Sequence, residues 1–443
     1  MQIAFLTLFL SLVSGSQLVT LSAGPGVASI EILLDGRSAG RIGGPPWTVQ
    51  VDLGAGLLPH RLEARALGAD GSEVGRAEQW LNLPRPPAEA EIAFEGGGER
   101  GPRLARVRWG SRTGEPPTAV HLSLDGSPLA VDAQGRAPHP AAAPGSARVL
   151  SAELLFSHGI AARKDVVLTG DWGSEVATEL TALPVRTRKP GQRLAERDLQ
   201  GAFAAGGRPL EVAAVEREPP QVLVVRGPGV TAEVLGRLAR PNPHLGEFGQ
   251  FRVDPEIRFR TVATVPKAYR SAGTAVDLFD ISAPRAWSRG RLADVLLVSD
   301  DSEFTPKPQL ADAAAVAGLH AFGYQVPRAV LLIVANGDVA DASHLAPDAV
   351  RAYLAALGVP LHVWSLDRYH PRSNAWGKVE DVSIPWMLRS AYERLARDLG
   401  TQQIVWLKGR HLPQDVEILR PPGKPGELAL VTAEQRAALR PPR

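Results

Sequence analysis

Cysteine is absent from all 443 residues. Without a thiol there is no disulfide, thiolate metal site, iron–sulfur cluster or cysteine nucleophile. A chain of this length can bury adequate cores without disulfide staples, so the absence permits export without demanding it. An excess of one charge is lacking too. Forty-nine Lys and Arg face 47 Asp and Glu, and the net charge of +2 is too small to draw the chain to nucleic acid or to an anionic membrane surface. Beyond the N-terminus no apolar run approaches the roughly 18 residues of a membrane-spanning helix. The ten histidines include no His-x-x-x-His or His-Glu-x-x-His pair. Gly227-Pro228-Gly229 lacks both the Gly-x-Gly-x-x-Gly spacing and a following Lys-Ser or Lys-Thr, which leaves no phosphate cradle there.

The N-terminus has an apolar core from Ile3 to Val13 followed by small residues, the layout of a signal peptide. Residues 1–16 are assigned to it, and the mature chain is expected to be secreted or held in the cell envelope. No Lys or Arg precedes the apolar core, and a buried first strand is the alternative.

At 443 residues the chain is too long for one ordinary core. Residues 17–87 alternate polar and apolar side chains around Asp-Gly turns, as in VASIEILLDGRSAGRI and WTVQVDL, which predicts antiparallel strands. About 90 residues later AVHLSLDGSPLAVD repeats the first strand and its turn, and RVLSAELL at 148–155 is similar to HRLEARAL at 60–67. Two β-sandwich modules are therefore expected, at 17–87 and 88–187, joined through Pro84–Pro87. Ile30–Gly36, Pro45-Pro46-Trp47, Val51-Asp52-Leu53 and His60–Ala64 resemble bacterial immunoglobulin-like domains of exported proteins. The resemblance implies spacer or adhesive modules.

The pattern then changes. RAVLLIVANGDVADASHLAPDAVRAYLAALGVPLHVWSLD at 328–367 holds a near-continuous apolar strand, a polar loop, a helix with Val350, Leu354 and Leu357 on one face, and a second apolar strand. With Val222–Val225, FGQFRVD, IRFRTVATV and ADVLLVSDDSEF as further strands and QLADAAAVAGLHAF as a helix, it predicts a doubly wound, Rossmann-like α/β domain over 195–415. Leu388, Tyr392, Leu395 and Leu399 mark an amphipathic helix, and Ile404–Leu407 a final strand. A Pro-rich tail is expected over 416–443.

The order of VLVVRGPGVTAEVLGRL, VLLVSDDSEF, RAVLLIVANGDVADAS and VRAYLAALGVPLHVW resembles a von Willebrand factor type A domain, in particular the type A-related domains of exported acidobacterial proteins. That family often binds Mg²⁺ through Asp-x-Ser-x-Ser after its first strand, a Thr, and an Asp after its fourth strand. Here the first set is matched by Arg226, Pro228 and Val230, so the resemblance implies a degenerate metal-ion-dependent adhesion site without a metal or cofactor.

The expected function is non-enzymatic: contact with an unidentified protein or envelope partner through loops at the carboxyl ends of the parallel strands. The candidate contact residues are Arg226, Asp300, Asp301, Ser302, Asn336, Asp338 and Trp376. Trp364, Trp376, Trp386 and Trp406 crowd the C-terminal region, and Trp376 is singled out for exposure in a loop beside Asn374 and Gly377. Two alternatives stand beside this. Asp300, Ser302, Thr305 and Asp338 could form a Mg²⁺-dependent adhesion site, or the chain could be an exported hydrolase with an unrecognised site. The simplest role for the same acidic loops is to cap helices at the sheet's edge.

Overall fold

The computed structural model describes residues 3–7, 9, 12–83, 88–95, 104–111, 116–132, 134–138, 147–156, 161–169, 180–216, 218–227, 230, 256–271, 274–282, 285–286, 308–335, 341–366, 375–409, 411–419 and 428–438. Contacts divide the chain into two units, Met1–Arg85 and Pro86–Arg443.

Alternation in the first unit resolves into two antiparallel sheets. Arg37–Ile42, Ser29–Leu34, His60–Leu67 and Glu73–Leu81 follow one another across the first sheet; Ile3–Phe5, Ser16–Ala23 and Thr48–Asp52 form the second. Ile30, Ile32, Leu62 and Leu81 from one sheet meet Val19, Leu21 and Val51 from the other in one buried core. Each such side chain contributes about 1.5–3 kcal/mol of burial. Within the segment read as a signal peptide, Ile3–Phe5 is a strand paired with Leu21–Ala23, and Ile3 is buried in that core.

The second unit begins with a sandwich of the same plan. Ser127–Leu129, Ala119–Leu124, Ala147–Leu155 and Ala161–Thr169 form its four-stranded sheet, and Arg136–Pro138, Leu104–Ser111 and Ala88–Glu95 its three-stranded one. The repeat extends to the turns. Asp35-Gly36 and Asp125-Gly126 have φ of 53° and 79°, and 50° and 79°, as a two-residue type I′ hairpin turn requires. Asp35 Oδ1 then accepts the Arg61 N–H at 2.7 Å, and Asp125 Oδ1 accepts the Val149 N–H at 2.8 Å. In both modules the turn aspartate thus ties the hairpin to the strand on its other side, His60–Leu67 or Ala147–Leu155.

The α/β region is built on a six-stranded sheet of β1 (Gln221–Arg226), β2 (Arg258–Val262), β3 (Arg285–Ala286), β4 (Arg328–Val334), β5 (Leu361–Ser365) and β6 (Val379–Asp381). Its order is β3-β2-β1-β4-β5-β6; β3 is antiparallel and the other five strands are parallel. Among the described residues three helices pack on it: α1 (Leu310–Tyr324), α2 (Pro347–Ala356) and α3 (Pro385–Thr401). Leu388, Tyr392, Leu395 and Leu399 of α3 share a core with Val222, Val224, Leu331 and Ile333. The alternating residues Leu223, Val225, Val330 and Leu332 are equally buried, on the face that α1 and α2 cover. Strands buried on both faces explain the unbroken apolar runs in the sequence. Pro347 occupies the start of α2, and Gly358, at φ +68°, follows its end. Gly318 of α1 lies so close to α2 that a Cβ there would meet Leu354 Cδ2 at 1.8 Å.

Several boundaries differ from the sequence expectations. Leu180–Thr187, assigned to the second module, pairs with Gln402–Lys408, which was read as a last strand of the α/β sheet. With Val212–Glu216 and Leu428–Leu430 they form a separate antiparallel sheet. The tail is built in as well: Val416–Ile418 pairs with Phe203–Ala205, and Val431 and Thr432 are buried ahead of α4 (Ala433–Ala438). The strands expected in FGQFRVD and ADVLLVSDDSEF lie outside the described residues.

Candidate functional site

The strand order reverses at β1 and β4. From β1 the chain moves outward to β2, and β4 then opens the run toward β6, so the carboxyl ends of β1 and β4 flank the topological switch point where open α/β sheets bind ligands. The crevice is tight on the described side. Gly227 donates its N–H to the Ile333 carbonyl at 2.7 Å, and a Cβ on Gly227 would lie 3.3 Å from that oxygen.

Of the candidate contact residues, Arg226 ends β1 but is only 8% exposed and is already engaged within the chain. As a buried residue it offers little surface to a partner. Asp300, Asp301, Ser302, Thr305, Asn336 and Asp338 lie outside the described residues. The second half of the loop after β4 is described, and its polar groups cap α1. Asp341 Oδ1 accepts the Leu310 N–H at 2.9 Å, and Ser343 Oγ accepts those of Ala311 and Asp312 at 2.8 and 3.2 Å. Asp312 returns the contact, accepting the N–H groups of His344 and Leu345 at 3.0 Å each.

Trp376 is half-buried, and beside it Gly377 packs against the Arg351 guanidinium of α2. Trp386 is more exposed, at 62%. Because β6 runs parallel to β5, the chain leaves it at the carboxyl edge of the sheet, and α3 begins there with Pro385 and Trp386. Trp364 and Trp406 are core residues, at 0% and 1% exposure. Of the acid pair Glu380-Asp381, Glu380 binds Arg394 at 2.7 Å and Asp381 accepts the Ser383 N–H at 2.8 Å.

Sequence reasoning passed over a second place, between the second module and the α/β region. A cavity of about 320 Å³ is lined by Asp125 and Val149 of the module and by Glu196, Ala214, Glu216 and Glu218. Arg163 reaches in from the strand Ala161–Thr169 and forks onto Glu218 with both contacts at 2.6 Å. The same guanidinium donates to Ser151 Oγ at 3.2 Å and lies 3.9 Å from Glu216 Oε1. Trp406 Nε1 donates to Glu216 Oε2 at 3.0 Å. Burial pushes the Glu218 carboxyl up, but the charge and hydrogen bonds of Arg163, helped by neighbouring Glu216 and the charge of Arg258, hold it below the ordinary value of 4.5. The spacing of Glu216 and Glu218 was a usable signal, since alternate residues of an extended segment face the same side.

Gly36-Arg37-Ser38-Ala39-Gly40 spells Gly-x-Ser-x-Gly. Its serine lies on the hairpin strand Arg37–Ile42 and not on the strand-to-helix elbow that a hydrolase nucleophile needs. Among the described residues no group of three or more His, Asp or Glu is placed to hold a metal ion, and no helix is long and apolar enough to cross a membrane.

No protein-family model matches the chain, and no curated protein matches it. Among solved structures, the fibronectin(III)-like modules of Clostridium thermocellum CbhA are 11% identical, with 38% of this chain and 93% of that one covered at a TM-score of 0.16. The central fibronectin-III array of RIM-binding protein is 12% identical, with 46% and 83% covered at 0.20. A β-glycosidase from Bacteroides vulgatus is 13% identical, with 38% and 24% covered at 0.21. The chain thus spans about a quarter of that glycosidase, and similarities at these scores carry no argument about fold or activity.

Proposed function

We propose that the chain is an exported, non-enzymatic protein in which immunoglobulin-like modules accompany a von Willebrand factor type A-like domain. Its work is protein–protein or cell-envelope contact at the carboxyl edge of the parallel sheet. The observation that carries this proposal is Trp386, a large aromatic 62% exposed in the first turn of α3 at that edge. The strand order, with its reversal at β1 and β4 and an antiparallel β3, supports the type A-like assignment. Where that family places its first metal ligands, this chain has Arg226 buried and Gly227 packed against β4, so contact by side chains replaces contact through an ion.

Site-specific photo-crosslinking in cells tests the proposal. A crosslinker at position 386 should give an adduct with an envelope protein, whereas one at Gln325, beyond the opposite end of α1, should not. Trp386→Ala should abolish partner binding and change stability by no more than about 0.5 kcal/mol, as surface substitutions do. Equal adducts from both positions, or a chain confined to the cytosol, would defeat it.

The hydrolase alternative has one observation in its favour, the carboxyls of Glu216 and Glu218 lining one cavity. Arg163 occupies both oxygens of Glu218, however, and Trp406 occupies one of Glu216. A substrate would have to displace Arg163 to reach the pair. Turnover of chromogenic ester, peptide or glycoside substrates that disappears in Glu216→Gln would establish this alternative in place of the first.

A further inference from the structure

We propose that Arg163, Glu216 and Glu218 form an acid-released latch that holds the second β-module onto the α/β region. The three groups come from both sides of the junction: Arg163 from a module strand, Glu216 and Glu218 from the segment leading into β1. Their side chains are only 4%, 8% and 9% exposed. The fork from Arg163 makes Glu218 the ionised partner, and Glu216 lies at its edge, with Oε1 3.9 Å from the guanidinium and Oε2 accepting from Trp406. The centre of the latch therefore pairs one cation with one anion, closely matched and away from water.

Apolar contacts complete the junction. Val149 of the module packs with Ala214, Ile404 and Trp406, and Leu155 packs with Tyr324 and Val326 at the end of α1. These contacts do not change with pH, whereas the latch does. When Glu218 takes up a proton, Arg163 loses its forked counter-charge inside the junction, which is a strongly unfavourable state. Undocking lets water reach it.

The charged groups around the latch do not offer a substitute. Arg258 faces Glu218 from β2 and adds to the positive side. Glu153 and Arg260 meet at Tyr324, where Arg260 is already hydrogen-bonded to the phenol. Asp125 is held by Arg148 at 2.7 Å, and Glu196 lines the far wall of the cavity. Since Glu218 is held below 4.5 in the folded state, its contribution is full above that value and is lost as pH falls through the lowered one.

The absence of cysteine permits a clean test on the full chain. Ser127→Cys in the module and Arg397→Cys on α3 place two spin labels on exposed positions across the junction. Double electron–electron resonance should give one narrow distance at pH 7, unchanged in 1 M NaCl because the pair is screened from solvent, and a broad one at pH 3.5 with the far-ultraviolet circular dichroism retained. Glu218→Gln should be broad already at pH 7. The double replacement Arg163→Met with Glu218→Met, which keeps the apolar junction and removes the charges, should stay narrow at both pH values. A wild-type distance that remains narrow at pH 3.5 would overturn the proposal. So would a double variant that broadens there as the wild type does, because acid would then be acting elsewhere.

Discussion

Arg328 donates from Nη2 to the carbonyl of Leu357 at 3.2 Å, with no exposed surface of its own. Its Nη1 reaches the Phe322 carbonyl at 3.5 Å, and its guanidinium lies 5.1 Å from the centre of the Phe322 ring. These carbonyls belong to the C-terminal turns of α1 and α2, so two negative helix ends converge on one buried cation at the amino edge of the sheet.

The first prediction follows from how weak that compensation is. The contacts to Arg328 are long, and burial pulls its guanidinium down to about 9, which still leaves it charged at pH 7. Replacing a buried ion with an apolar side chain of similar volume is often stabilising by about 1–4 kcal/mol. Arg328→Met should therefore unfold at equal or higher denaturant concentration than the wild type. Arg328→Ala removes the stem as well, and its cavity should cost about 2–5 kcal/mol. If both variants lose the same stability, the helix ends contribute more than desolvation takes away.

A second prediction concerns acid sensitivity. His320 of α1 is half-buried, but its Nε2 is enclosed, and its ring meets Tyr324 edge-on at 4.9 Å. Burial, with the charge of Arg260 behind it, holds the imidazole well below 6.5. The folded chain thus stays unprotonated where the unfolded chain takes up a proton. Stability from this residue is full above 6.5 and falls as pH drops below it, by up to about 1.4 kcal/mol per pH unit. His320→Phe keeps the edge-on contact and removes the titration. Its melting temperature should fall less than that of the wild type between pH 7 and pH 5, and parallel curves would show that His320 protonates freely when folded.

Much of the α/β layout was legible because it rests on short-range patterns. β1, β4 and β5 are apolar runs, α2 carries its stop and start signals, and the Asp-Gly turns at 35 and 125 require positive φ at both positions. The sheet of Leu180–Thr187, Val212–Glu216, Gln402–Lys408 and Leu428–Leu430 was not legible, since its strands pair across 188 to 245 residues and periodicity does not report a partner. Trp386 could have been placed. It lies two residues before the inward-facing Leu388, about 200° around the helix, which turns it to solvent. Arg163 had no local signal, because its counter-charges come from another part of the chain.

The loop after β4, the feature that first suggested a binding surface, leads to the last prediction. Gln309, the residue before α1, makes no side-chain cap, and the first N–H groups of the helix are instead satisfied by Asp341 and Ser343 from across the loop. Asp341 also accepts the Ser343 hydroxyl at 2.6 Å, which orients its lone pairs toward Ala311 and Asp312. Ser343→Ala leaves those donors without their acceptor at a half-buried helix end and should cost about 1–2 kcal/mol, the range for a lost cap. Ser343→Thr should retain most of that stability. Hydrogen exchange of the 310–313 amides should accelerate in the alanine variant alone. Equal exchange in both variants would mean that water satisfies the helix end and that the loop is free to serve a partner.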